Sequence, residues 1–336
     1  MKWPITVVFL VLFAGVAFLY YYLVPSESIV VKKQAVISQQ LLVLEKGDKL
    51  TKIRIEREKE KSAVLVRQDD KWSIEEPVVY PADPLITDGL GVALLVTAKE
   101  RKLLREKDWS EYGLANPTMK IGVQTQNHPE WKVLAFGDKA AYGNFVYARW
   151  EGEEEYFLVT ADLKKAFDRS LYSLRYKRAF RTPLNEIRKI RVKTSEGEYE
   201  FTKQDAKWYW MEPVSLLGEE ARKEFVDDLL LLTRELAIKD FLDNDKRSPS
   251  LFGISSISPS ISVWNAENKV EFLRLGKEVL KRDSFLAQKE GEDIMLLVAR
   301  GNVKRIFEIV QAMTDEGMKK DAAEANPLPT AKDEVA

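Results

Sequence analysis

One phrase is written twice in this chain. DDKWSIEEP occupies residues 69–77 and DAKWYWMEP residues 205–213, sharing the frame D-x-K-W, three free positions, then E-P. The recurrence extends well beyond Trp72 and Trp208. Leu50-x-Lys52-Ile53-x-Ile55 is answered by Ile187-x-Lys189-Ile190-x-Val192, and Tyr112-Gly113-Leu114 by Phe252-Gly253-Ile254. Phe136-Gly137 returns as Leu275-Gly276, Glu151-Gly152-Glu153 as Glu290-Gly291-Glu292, and Phe157-Leu158-Val159 as Leu296-Leu297-Val298. Order and spacing kept this well mean two copies of one unit, at residues 41–175 and 177–313. Whatever fold one copy adopts, the other must adopt as well.

Within each copy the patterning predicts an α+β fold. A strand around Ile53 or Ile190 is followed by SAVLVRQ from Ser62 or GEYEFTKQ from Gly197, and then by the Trp strand. In that strand Trp72 and Ile74, or Trp208 and Trp210, alternate with polar residues, the period-2 signature of a half-buried strand. Pro77 and Pro213 stop it, because Pro cannot donate to the ladder. These three strands read as an antiparallel meander. A helix follows. In the first copy Asp83 is placed to cap it, Pro84 suits its first turn, and Ile86, Leu90, Ala93, Leu94 and Thr97 share a face. In the second copy Ala221, Phe225, Leu229, Leu232 and Leu236 form the stripe, with Arg222, Lys223, Asp227 and Arg234 outside. Strands are expected at 119–124, 131–136, 145–150 and 156–160, with Glu-Gly-Glu hairpin turns between the last two. Each copy closes with a helix, marked by Leu163, Phe167, Leu171 and Leu174, or by Val303, Ile306, Phe307, Val310 and Met313 behind Asn302 as a cap. Residues 314–336 lack periodic apolar positions and read as a disordered tail.

The N-terminal residues 3–24, WPITVVFLVLFAGVAFLYYYLV, carry no charge. Twenty-two helical residues span about 33 Å, enough for the ~30 Å hydrocarbon layer. Tyr20, Tyr21 and Tyr22 sit at one end, at headgroup level. A cleaved signal peptide is the rival reading, but its apolar run is shorter and its cleavage site small-x-small. Residues 1–24 therefore read as a retained membrane anchor and 25–40 as a polar spacer. The short N-terminal head predicts a signal anchor that leaves the bulk of the chain extracytoplasmic, although Lys32 and Lys33 pull the other way.

Composition narrows the chemistry. Lys+Arg 52 against Asp+Glu 53 gives a net charge of −1, so no basic excess argues for nucleic acid. Cysteine is absent and His128 is the single histidine, which excludes disulfides, thiolate sites and His clusters. Gly89-x-Gly91 lacks a third small residue, since Leu94 stands there, and falls inside the expected helix, so it is no dinucleotide fingerprint. No Walker-type motif occurs. The run Glu151 to Glu155 lacks the alternating ligands of a calcium loop, and His128, before a Pro, reads as a turn residue. The basic stretch LRYKRAFR at 174–181 reads as a solvated or salt-bridged connector. No residue is assigned a catalytic, cofactor-binding or metal-ligating role, and no cofactor is expected.

KWSIEEP…AD (71–83), EYGL (111–114), FGD (136–138), LYSLRYKRAF (171–180) and KWYWMEP (207–213) occur in this order. The chain thereby resembles an uncharacterised bacterial family of membrane-anchored proteins with a duplicated α+β domain. The second copy departs from the pattern after its Trp strand, with Gly218-Glu219 near the place of the Ala-Asp element. Genes of that family often lie beside ABC-transporter permeases and gliding-motility-type auxiliary proteins. The resemblance implies a non-enzymatic accessory or scaffold protein of an envelope transport complex in the inner membrane, with permease or auxiliary subunits as partners. A glycan- or lipid-binding module using a cleft between the units is the alternative, and requires exposed Trp residues. An envelope hydrolase with paired carboxylates is the third reading.

Overall fold

The computed structural model describes residues 39–103, 109–243, 245 and 247–325, together with Phe13 and Phe18. The expected membrane segment otherwise lies outside the described residues. No helix among the described residues is long and apolar enough to cross a membrane.

The chain divides into two compact units, residues 1–176 and 177–336. Unit 1 holds β1 (Leu50–Arg57), β2 (Glu60–Gln68), β3 (Lys71–Glu76), β4 (Tyr80–Pro81), helix α1 (Pro84–Val96), β5 (Arg101–Leu103), β6 (Met119–Thr125), β7 (Lys132–Lys139), β8 (Phe145–Trp150) and β9 (Tyr156–Thr160). It closes with α2 (Ala161–Phe167) and α3 (Leu171–Leu174). Unit 2 holds β10 (Ile187–Lys193), β11 (Glu198–Gln204), β12 (Lys207–Glu212), β13 (Glu220–Ala221), α4 (Lys223–Arg234), β14 (Ile238–Phe241), β15 (Ser260–Asn265), β16 (Val270–Val279), β17 (Ser284–Lys289), β18 (Met295–Ala299) and α5 (Arg300–Ala325).

Each unit is built on one nine-stranded antiparallel sheet. The orders are β4-β3-β2-β1-β6-β7-β8-β9-β5 and β13-β12-β11-β10-β15-β16-β17-β18-β14, the same order with every number raised by nine. Some irregularities repeat as well. The β1–β6 ladder shifts register between Leu50 and Lys52, and the β10–β15 ladder between Ile187 and Lys189. In unit 1, α1 leaves one sheet edge after β4 and delivers the chain to β5 at the opposite edge. Leu90 and Leu94 of α1 and Leu163 and Phe167 of α2 pack with Ile53, Leu65, Trp72, Ile74, Ile121 and Phe136 in one core.

The duplicated phrase now has a physical account. Its Asp opens a two-residue hairpin loop, with Gln68 paired to Lys71 and Gln204 to Lys207. Asp69, Asp70 and Asp205 take positive φ, which Asp tolerates better than most residues. Trp72, Trp208 and Trp210 point inward and are buried. Glu76-Pro77 and Glu212-Pro213, both cis, end the strands.

Several expectations need correction. The closing helix of unit 1 is two helices, because Ser170 caps a new start at α3. Asn302 does not cap α5; it lies inside it, and its amide donates to the Glu235 carbonyl. Met313 is not the end of order either. The helix continues to Ala325, with Thr314 buried and its hydroxyl donating to the Val310 carbonyl. In α4 the inward face is Val226, Leu229, Leu230 and Thr233, while Phe225 and Leu232 are only half-buried.

One polar cluster in unit 2 is not duplicated. Glu271 accepts hydrogen bonds from Lys289 Nζ at 2.6 Å, the Arg181 amide at 2.9 Å and the Thr182 hydroxyl at 2.7 Å. By register the same places in unit 1 hold Lys132 and Trp150, a cation over a ring at 4.6 Å. Burial alone pushes the Glu271 carboxyl up, but the charge of Lys289 and the donors of Thr182 and Arg181 outweigh it and hold it below the usual value. Burial, with the charge of Arg181, pulls Lys289 down. Glu271→Gln leaves a buried ammonium without its anion and is expected to cost about 3 kcal/mol in urea unfolding. A carboxyl held low when folded lends stability above its unfolded pKa and gives it up as pH falls through the folded one. The wild-type advantage over Glu271→Gln should therefore fade below about pH 4.3.

Candidate docking surface

The two units share a fold, so positions where they differ on the surface are the informative ones. One such difference lies on α1 and its counterpart α4. Asp83 caps α1 as its sequence predicts, accepting from the Ile86 amide at 3.4 Å, with Pro84 in the first turn. The helix turns Thr87, Leu90, Gly91 and Leu94 inward. At about 100° per residue, Leu85, Gly89, Val92 and Val96 then fall together on the opposite face, with Asp88 on its border. They are solvent-facing: Leu85 is 82 %, Val92 56 % and Val96 68 % exposed. A Cβ built on Gly89 would meet nothing within 4 Å.

On α4 the outward positions are Lys223, Glu224, Asp227, Asp228, Leu231 and Arg234. Lys223 pairs with Asp227 at 2.7 Å, an ordinary solvated i,i+4 contact. α4 also packs against the long α5, whereas among the described residues the helices beside α1 are the short α2 and α3. Solvent-facing helices of this kind are normally polar, so an apolar stripe on one copy alone makes this face the candidate docking surface.

The stripe stands where the chain arrives from its N-terminal region. The Leu41 amide donates to the Thr97 carbonyl at 2.8 Å and the Lys99 amide to the Gln39 carbonyl at 2.6 Å. Gln40 bridges to Ala98. Residues 39–41 are thus fastened beside the C-terminal end of α1.

Other candidates carry less. A cavity of about 330 Å³ is lined by Arg57, Met119, Lys164, Lys165 and Asp168. Two of its three cations are already engaged: Arg57 pairs with Glu60 and Asp168, and Lys164 donates to the Gly137 carbonyl. A groove of about 400 Å³ in unit 2 carries Glu196, Glu308 and Asp315, but all three face solvent, unlike a glycosidase acid in apolar surroundings. Among the described residues no group of three His, Asp or Glu could hold a metal ion. Trp72, Trp150, Trp208 and Trp210 are interior side chains, so the repeated indoles offer no stacking platform. His128 is an exposed turn residue whose amide donates to the Thr125 hydroxyl. Gly89 and Gly91 lie mid-helix, as their spacing predicts.

Sequence reasoning missed the α1 stripe. PLITDGLGVALLV is apolar nearly all round, so periodicity reveals a helix but not which apolar face is covered. A comparison of α1 with α4 at matched positions was the available signal. Gly89 is also costly to an exposed helix. Gly89→Ala is expected to raise stability by about 0.5–1 kcal/mol, read from a shift in the urea midpoint.

Together, the fold and this face define a tandem-duplicated α+β protein that presents an apolar helix from its first unit. A family model described as Domain of unknown function (DUF4340) matches residues 72–256, more than half of the chain, and the chain belongs to that family. No curated protein and no solved structure matches it. The matched region runs from the first Trp strand past the second and contains both α1 and α4.

Proposed function

We propose that this chain is a non-enzymatic accessory protein of a cell-envelope ABC-type transport complex. A single N-terminal span holds it in the inner membrane, with both units on the extracytoplasmic side. The observation that carries the reading is the apolar stripe on α1, absent from α4, beside the point where the anchored end of the chain joins unit 1. A tether confines the units near the bilayer and raises their effective concentration toward a membrane partner, so a modest apolar contact suffices. The uncharged residues 3–24 and the family's genomic neighbours support the same reading.

Affinity purification of the full-length chain from membranes in mild detergent tests it. Permease or auxiliary subunits are expected to co-purify in fixed proportion, and removal of residues 1–24 should abolish that recovery. Isolation of the chain alone, with no transport defect on deletion of its gene, would overturn the reading.

A further inference from the structure

We infer that the α1 stripe seats an apolar helix of an integral membrane protein, which crosses at Gly89 and presents a lysine or arginine to Asp88. The inference rests on the tethered-accessory reading above and names the chemistry of the partner. From Leu85 to Val96 the stripe runs about 17 Å, the length over which two packed helices touch. Open space at Gly89 lets a second backbone approach closely, as small residues do where membrane-protein helices pack.

Charge decides between occupants. Helices that lie on anionic bilayers carry Lys or Arg beside their apolar face. α1 has no basic residue at all, and its one charge, Asp88, is exposed and ion-paired with nothing among the described residues. A lipid surface is therefore the poorer fit. A second copy of this chain fits no better, because a two-fold pairing brings two Asp88 carboxylates to one interface with no cation on α1 to offset them. A partner helix with a basic residue satisfies both the stripe and the carboxylate.

Reach sets where that helix lies. Fourteen residues separate the expected span, ending at Val24, from Gln39. Fully extended they cover at most about 50 Å. Since Gln39 is fastened at the C-terminal end of α1, the tethered stripe stays within about that distance of the bilayer, in reach of the extramembrane part of an embedded protein.

The chain has no cysteine, so Val92→Cys or Val96→Cys supplies a single thiol for a photo-activated cross-linker in native membranes. Both positions are expected to give an adduct with an integral membrane protein, and Leu231→Cys on α4 none. The cross-linked peptide should be an apolar helical segment with a Lys or Arg. Asp88→Lys should lower the adduct about tenfold, and replacing the partner's basic residue with Asp should restore it. An adduct with lipid or with a second copy, no adduct, or an Asp88→Lys variant that cross-links as wild type would overturn the inference. Failure of the accessory reading looks different: the wild-type chain is recovered alone. If the partner co-purifies equally with wild type and Gly89→Leu, that reading stands and this inference falls.

Discussion

Gly137→Ala and Gly276→Ala should each destabilise the protein by about 3–4 kcal/mol, far beyond the usual Gly→Ala change. A Cβ on Gly137 would lie 2.1 Å from the Tyr112 carbonyl oxygen, and one on Gly276 2.3 Å from that of Phe252. Those carbonyls cannot simply retreat. Tyr112 precedes Gly113 in a tight turn closed by the Gly113 amide to Ser110 and the Leu114 amide to Trp109. Phe252 precedes Gly253 in the matching turn, closed to Ser250 and Pro249. Behind them Leu114 and Ile254 are buried. Either the turn or the strand must move, and both are packed. Gly89→Ala is the internal control, since it meets open space and should stabilise. Urea unfolding of the three variants separates the cases, and a Gly137→Ala or Gly276→Ala midpoint within error of wild type would show that the two turns do not close as described.

Trp210→Ala is expected to cost about 3–5 kcal/mol. Trp210 is 4 % exposed and lies opposite Phe201 across the β11–β12 ladder, ring centroids 4.3 Å apart. Removing the indole loses its apolar burial and leaves a hole that close-packed strands cannot fill. The same pair of places in unit 1 holds Leu65 and Ile74. Ile74→Ala should therefore be damaging too, at about 2–4 kcal/mol, but with a smaller cavity. Thermal unfolding checks the ranking. Equal and small losses for both would mean that the Trp strand is not a core strand in either unit.

Much of this fold can be read from residues. Alternation in KWSIEEP and KWYWMEP reports the inward Trp strands because every second side chain meets the core. Asp83-Pro84 reports a helix start because an extended Asp caps and Pro needs no partner for its nitrogen. The paired glycine motifs, Tyr-Gly-Leu with Phe-Gly, are visible as repeats, yet their meaning is not: that Gly137 makes room for a carbonyl 25 positions earlier is a tertiary fact. Four short edge strands escaped notice. Tyr80–Pro81, Arg101–Leu103, Glu220–Ala221 and Ile238–Phe241 are too brief for a period to show, and their pairing is long-range. The end of α5 was misplaced because its last turns are polar and Ala-rich, a composition that solvated helix and disorder share. The Glu271–Lys289 pair was invisible for the opposite reason. Single charged residues in strands look solvent-facing, and only the register sets them against each other.

The α1 surface tests the account most directly. Val92→Glu with Val96→Lys, made in the full-length chain, changes two exposed side chains and should leave stability within about 0.5 kcal/mol of wild type. Its recovery of membrane partners in mild detergent should nonetheless collapse, while charge changes at Asp227 and Leu231 on α4 leave recovery intact. Undiminished partner recovery by the α1 variant, at wild-type stability, would contradict the claim that this helix is the docking face.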